Sequence, residues 1–568
     1  MSTAVGASPG RSATPGLVRG IWDRRIDAYP ENGPRTFYLA IVVLATIVLY
    51  YELYVQGAVA PTVLATYHMS FTFFVYISVV GNALGAFSSL IAGLADRWGR
   101  ANLVAWGLGV TAVMIYFLPQ TNDKWSYSIL FSAIAFVEGI ILVATPALVR
   151  DFSPQLGRAS AMGFWTLGPV IGSLVVSEVS SHTLNLAATN WQDQYRYAAL
   201  AGIIVFVIAL FGLRELAPSL RDQLMVSMRD RALIEARAKG IDIEESLRHP
   251  WRQMLHKDVV GSAFAISIFL MIYYAAVGFF VIYFTSVFSW SAAKANGLGN
   301  WFWAFDAGAL IIVGFLSDLV RVRKPFMIVG AVGAIVMTVI FATKAHHPHT
   351  SYYEFVLIIS LLAVFLAITY APWMASFTET VEKHNPALTA TGLAVWGWII
   401  RIVVALSAIF LPIVVTAVTP LVDHGTTVAA AAASPAGKTL LSIDPATLAA
   451  LQKNPLDQAA DAKAVGEIMA AQHVDQATAI KNLQALATPA GQAQIAPLVK
   501  YGAKVQQATK DAPGQFQTWW WVCLGCEVAF IPFVFIMAGR WSPKKAREDA
   551  EAHERMVQQE LAALQPVG

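Results

Sequence analysis

Five ionisable side chains stand inside long apolar stretches of the sequence: Glu52, Glu138, Asp306, Arg401 and Glu527. A charge at the centre of a bilayer costs at least about 2.5 to 3.5 kcal/mol, so each must be compensated by a partner, by water or by a proton. Three chemistries follow. An arginine can hold a carboxylate in a fork of two hydrogen bonds, which makes Arg401 a clamp for an anionic solute. Alternatively Arg401 neutralises Asp306, which lies in the same half of the chain. In that case Glu52 and Glu138 remain as acids of like sign without a base, and burial with mutual repulsion disfavours their charged forms. One of them would then keep a proton until its surroundings open to a more basic side. The competing role for both is hydrogen bonding to tyrosine or backbone groups for packing alone.

Around these charges lie Tyr50, Tyr51, Tyr54, Gln56, Asn82, Tyr273, Tyr274, Asn300, Trp301, Trp303, Tyr370, Trp373, Trp396 and Trp398. Rings with a polar edge suit a small, partly polar organic solute, although a share of them must anchor helices at the membrane surface. The candidates for binding substrate are Arg401, Tyr51, Tyr54, Gln56, Tyr273, Tyr274, Asn300, Trp303, Trp373 and Trp396. Those for carrying protons are Glu52, Glu138 and Asp306.

The elements that must position them are membrane helices. Of 568 residues, 57% are hydrophobic and only 13% charged, against about 25% charged in soluble domains. Twelve apolar runs of about 18 residues or more fall near 36–60, 72–95, 102–119, 126–149, 162–180, 197–213, 260–288, 298–317, 326–343, 353–377, 388–418 and 518–538. Barrel strands would alternate in polarity, and these runs do not, so the fold is all-α. Two cysteines exclude a disulfide framework, and 39 basic against 36 acidic residues give no field for a nucleic-acid partner. Lysines and arginines concentrate on one side of the runs, which predicts cytoplasmic N- and C-termini.

The predicted organisation is a cytoplasmic segment over 1–35, a six-helix bundle over 36–213, a cytoplasmic linker over 214–259 and helices 7 to 11 over 260–418. An alanine-rich insertion over 419–517, helix 12 over 518–539 and a cytoplasmic tail over 540–568 complete it. In the linker, Leu220, Leu224, Met228, Leu233 and Ile234 read as surface helices. In the insertion, Asp444-Pro445 and Asn454-Pro455 look like helix starts, and Ile468, Leu483, Leu486, Ile495, Leu498 and Val499 form an apolar stripe. A small extracytoplasmic helical cap is expected, with a partly helical loop as the alternative.

The two halves repeat. Tyr50-Tyr51 precedes Asp96 much as Tyr273-Tyr274 precedes Asp318, and Thr145-Pro146 and Gly163 to Gly168 correspond to Ala371-Pro372 and Gly392 to Gly397. After the second run the chain reads Ala92-Gly93-Leu94-Ala95-Asp96-Arg97-Trp98-Gly99-Arg100, with a partial copy at Gly314 to Asp318 followed by Arg321, Arg323 and Lys324. This resembles the signature loop of the major facilitator superfamily, although the family pattern puts glycine where this chain has Ala92. The resemblance implies two pseudo-symmetric six-helix bundles, with helices 1, 4, 7 and 10 lining a cavity and helix 12 peripheral, which makes Glu527 the least involved of the charges. It also implies a conformational latch of Gly93, Asp96, Arg97, Gly99, Arg100, Arg150 and Asp318, in which Asp96 engages Arg150 at the end of run 4. Gly163 to Ser173 resembles an antiporter-associated motif of the family, while Ala135 stands where many drug exporters carry arginine.

The reading is a proton-coupled secondary transporter of a small organic solute, anionic where Arg401 serves as its clamp, working by alternating access and by symport. It needs no cofactor, sits in the plasma (inner) membrane and acts as a monomer. Two alternatives stay open: a proton-driven drug or metabolite exporter, and a non-transporting receptor or assembly factor that uses residues 419–517 to hold a partner. No enzyme motif is present. Neither Cys523-Leu524-Gly525-Cys526 nor His346-His347-Pro348-His349 is assigned a role.

Overall fold

In a computed structural model the described residues are 22 to 545 without 23, 91–98, 153–157, 218–219, 221–253, 321, 345–346, 348, 385–388 and 455, together with 547, 548, 551, 552 and 555. Eleven spans among them are long and apolar enough to cross a membrane. In chain order these are α1 (Asn32–Ala58), α3 (Phe71–Leu90), α4 (Arg100–Phe117), α5 (Lys124–Phe152), α7 (Trp191–Gly212), the pair α8 (Lys257–Phe269) and α9 (Met271–Phe288), α10 (Ala292–Val320), α11 (Lys324–Lys344), α12 (Tyr352–His384), α13 (Thr389–Val414) and α19 (Pro489–Ile536). The short α2 (Ala60–Thr66) follows α1, and α6 (Arg158–Thr183) occupies the place of the fifth apolar run.

Two bundles form because each helix buries one face on its neighbours. Helices α1, α3, α4, α5, α6 and α7 make the first, and α8 to α13 with α19 the second. They meet along α6 against α10 and α3 against α13. The seventh run is broken at Leu270. No glycine or proline from Ser262 to Val277 accounts for the break.

Small residues set the closest approach in the first bundle. A Cβ on Gly172 of α6 would lie 2.6 Å from Tyr50 Cβ, so only glycine lets α6 pack this tightly on α1. Gly168 of the same helix packs on α1 as tightly, a Cβ there falling 2.5 Å from Thr46 Cγ2.

Two short strands lie at the end of the first bundle where α1 begins and α7 ends. β1 (Arg25–Ile26) pairs in parallel with β2 (Glu215–Leu216), and buried Arg24 donates to the Ala209 carbonyl at 2.9 Å. The N-terminal segment is thus tied to the start of the linker. Of the residues expected to form linker helices, Leu224, Met228, Leu233 and Ile234 lie outside the described residues.

The insertion is helical throughout its described residues. It comprises α14 (Val418–Ala433), α15 (Pro435–Leu441), α16 (Pro445–Lys453), α17 (Gln458–Gln472), α18 (Gln476–Ala487) and the first part of α19. Ile443, Ala464, Ile468, Leu486 and Ile495 form its own small core. Asp444 caps α16 as its sequence suggested. The other expected start is displaced: α17 begins after Asp457, whose carboxylate accepts from Ala459 and Ala460 N–H, and Asn454 ends the preceding helix instead. Val499 also departs from the expected stripe, standing 67% exposed. The insertion and the last span are one continuous helix, α19, of 48 residues, about 72 Å long at 1.5 Å per residue.

Candidate functional site

Residues from both bundles converge in the middle of the molecule. Helical spacing puts Tyr50 and Tyr54 on one face of α1, their rings 5.4 Å apart. The second bundle answers with Tyr273 and Tyr274 at the start of α9, 5.6 Å apart. Tyr273 also packs edge-on to Trp303 of α10 at 5.1 Å. On α12, Pro372 interrupts the hydrogen-bond ladder between Tyr370 and Trp373, whose rings stack at 6.0 Å, and Trp373 meets Trp396 of α13 at 5.5 Å. Electrostatic proximity joins these groups across the halves: Tyr54 to Tyr273 and Tyr274, and Tyr50 to Tyr370.

The charges sit within this aromatic box. Tyr50 lies in electrostatic range of both Glu138 on α5 and Arg401 on α13, so one phenol feels an acid of the first half and a base of the second. Glu138 is 1% exposed, and neither of its carboxyl oxygens has a hydrogen-bond partner among the described residues. Asp306 on α10 is 4% exposed and neighbours Tyr273 and Tyr370. The expected Asp306 pairing with Arg401 is not found: Asp306 enters no ion pair among the described residues, and Arg401 has Tyr50 as its electrostatic neighbour. The indole N–H groups of Trp373 and Trp396 are buried without an acceptor. Buried polar groups without a protein partner are uncommon and call for a ligand, a water or a proton to satisfy them.

Other candidates lie elsewhere. Glu52 is on α1 but turned toward α4 and α7: its Oε2 accepts from Thr111 Oγ1 at 3.0 Å, and its Oε1 is lodged against Gly202 without a partner. Glu138 is nevertheless within electrostatic range of it. Tyr51 faces Tyr197 of α7, its hydroxyl unpartnered, and Gln56 is buried with Nε2 unpartnered. Asn300 donates to Ser181 Oγ at 2.9 Å, joining α10 to α6 across the halves. Glu527 accepts from Thr338 Oγ1 at 2.8 Å, between α19 and α11.

Gly93, Asp96 and Arg97 of the expected latch lie outside the described residues, as does the side chain of Arg150. The latch residues that are described make a related arrangement. Arg100 holds Asp151 with two hydrogen bonds, 2.9 and 2.7 Å, and its N–H donates to Glu215 at 2.6 Å. Gly99 before it has φ +89°, a left-handed conformation in which a Cβ would collide with that same Glu215 carboxylate. In the second half Arg323 pairs with Asp318 at 2.7 Å and with Glu379 at 3.4 Å. Sequence reasoning missed Asp151 and Glu215, which are told from other loop acids only by their distance to Arg100, and it left Tyr50 and Tyr370 out of the binding set although the tyrosine repeat pointed to Tyr50.

The family model described as Major Facilitator Superfamily matches residues 42–408. The chain belongs to that superfamily. Among similar proteins, Sugar phosphate exchanger 3 of Mus musculus is 22% identical over 277 residues, 43% of this chain and 54% of that protein, and its counterpart from Gallus gallus is 21% identical over 286 residues. The matches span about half the length of those relatives. A bacterial homologue of the human lysosomal transporter Spinster, solved in an inward-facing and occupied conformation, has the same fold with a TM-score of 0.56 and 15% identity, covering 89% of this chain and 97% of that one. This major facilitator protein is therefore a multi-pass membrane transporter by family, and the aromatic box lies where its two bundles meet.

Proposed function

We propose that the protein is a proton-coupled symporter of a small organic solute bearing an anionic group, rocking its two bundles around the aromatic box as a monomer in the plasma membrane. Support comes chiefly from one observation: Glu138 is buried with both oxygens unpartnered among the described residues, within electrostatic range of the same Tyr50 that Arg401 influences. A carboxyl so placed is stable in a dry interior only when it carries a proton. Arg401 and the free indole donors then receive the solute's anionic group, while Glu138 and Asp306 load and release protons as the box opens to either side. Glu52, within range of Glu138, is the third proton-carrying candidate. The names of the mouse and chicken relatives, sugar phosphate exchangers, favour an anionic cargo and support exchange as the second reading.

The test is flux in proteoliposomes under an imposed pH gradient, with candidate anions chosen by thermal stabilisation of the purified protein. Symport predicts accumulation when the outside is acidic, and exchange predicts accumulation that depends on a counter-solute inside instead. Glu138→Gln should abolish pH-driven accumulation while sparing solute binding. Full accumulation by that variant would remove the proposal.

A further inference from the structure

The insertion begins with α14, which leaves the second bundle after α13 and lies across the end of the first. It packs on α2 and α3 of the first bundle and on α9 of the second. At that crossing the Phe71 N–H, at the start of α3, donates to Asp423 Oδ1 of α14 at 2.7 Å. A free N–H at a helix start carries part of the helix dipole, so a carboxylate is its strongest side-chain acceptor. The bond ties the two halves together.

Asp423 is not a loose side chain. Gln515 of α19 accepts from Ala417 N–H at 2.7 Å and from Thr416 Oγ1 at 3.2 Å, fastening the root of α14. At the very next position, the His424 ring stacks on Tyr501 of α19 with centroids 3.7 Å apart. Since α19 is also the last span of the second bundle, α14 moves with that bundle and presents Asp423 to the other. Further cross-half contacts cluster at the same end: Asn296 Nδ2 donates to the Ala58 carbonyl at 3.0 Å, and Asn300 Nδ2 to Ser181 Oγ at 2.9 Å. Opening a path to the box from this side separates α3 from α14, and Phe71 N–H then loses its acceptor.

We propose that the insertion is a working part of the transport cycle, with Asp423 a positioning residue that holds the insertion-facing gate shut by capping α3 across the two halves. The proposal rests on transport by alternating access and is independent of which solute or ion is carried. A net hydrogen bond to a charged group is strong enough to bias such an equilibrium roughly five- to thirtyfold.

The test measures the gate directly in the full-length protein in lipid nanodiscs. Spin labels at Asn122→Cys and His349→Cys, exposed positions in loops of opposite bundles at this end, report the gap by electron–electron resonance in a Cys523→Ser, Cys526→Ser background. Asp423→Ala should raise the wide-gap to narrow-gap population ratio five- to thirtyfold. Asp423→Asn keeps the size and an oxygen acceptor for Phe71 but not the charge, and should shift the ratio less than Asp423→Ala does. Gln515→Ala, which loosens α14 at its root, should shift the ratio in the same direction and carries the test alone if Asp423→Ala does not fold. Parental gap distributions in the folded Ala variants would overturn the proposal, and so would equal widening by Asn and Ala at position 423, which would assign the effect to the charge alone and not to the hydrogen bond that caps α3. Because no solute or pH gradient enters the measurement, its failure is separate from failure of the symport reading.

Discussion

Each half of the molecule buries one glutamate against one threonine, and the threonines occupy equivalent places in the repeat. Thr111 on α4 and Thr338 on α11 are 227 positions apart, in step with the proline and glycine correspondences. The acids are not equivalent. Thr111 binds Glu52 of α1, a helix that also carries Tyr50 and Tyr54 into the box, whereas Thr338 binds Glu527 of α19, at the edge of the second bundle. The repeat has kept a hydroxyl donor that can accommodate a buried carboxyl, and the two halves have filled that position from different helices. Only the first-half acid stands within electrostatic range of a second acid, Glu138. The same local chemistry thus adjoins a second acid in one half and, among the described residues, none in the other.

The sharpest way to break this contrast is to neutralise the acids one at a time. Glu138→Gln should reduce pH-driven accumulation at least tenfold and Glu527→Gln should leave it within twofold, measured side by side in proteoliposomes; comparable losses would erase the distinction between the halves. The glycines give the next largest effect. Gly168 packs on Thr46, where a Cβ would fall 2.5 Å from Thr46 Cγ2, while its repeat counterpart Gly397 has nothing within 4 Å of that position. Gly168→Ala should cost about 1 to 3 kcal/mol of stability by overpacking, and Gly397→Ala should be neutral or gain up to about 1 kcal/mol from helix propensity. Denaturation of the two purified variants checks both signs. The smallest effect belongs to the threonines. Thr338→Val and Thr111→Val should each cost on the order of 1 kcal/mol, but only Thr111→Val should shift the pH dependence of transport, since only its acid adjoins Glu138; a shift in both would place Glu527 on the proton route.

Much of the candidate site could be read before any coordinate. The acids and arginine were conspicuous because oil penalises them whatever their surroundings. The tyrosine pairs Tyr50-Tyr51 and Tyr273-Tyr274 were visible because they recur at matched places in the two halves. Which way each acid turns was not visible: Glu52 and Glu138 carry the same carboxyl in comparable apolar runs, yet one meets a threonine on the flank and the other meets no donor. Likewise Asp306 and Arg401 look like a pair on the line of the sequence, and in the fold Asp306 enters no ion pair among the described residues.

Composition and run length alone determined that this chain is an all-helical membrane protein with a duplicated plan, because a backbone in lipid must satisfy its own hydrogen bonds and only long apolar helices do so. The tertiary structure alone decided that the final insertion helix and the last span are one rod, that Asp423 reaches Phe71 across the halves, and that Leu270 interrupts the seventh span. Those outcomes depend on contacts between residues hundreds of positions apart, which no local pattern of hydrophobicity encodes.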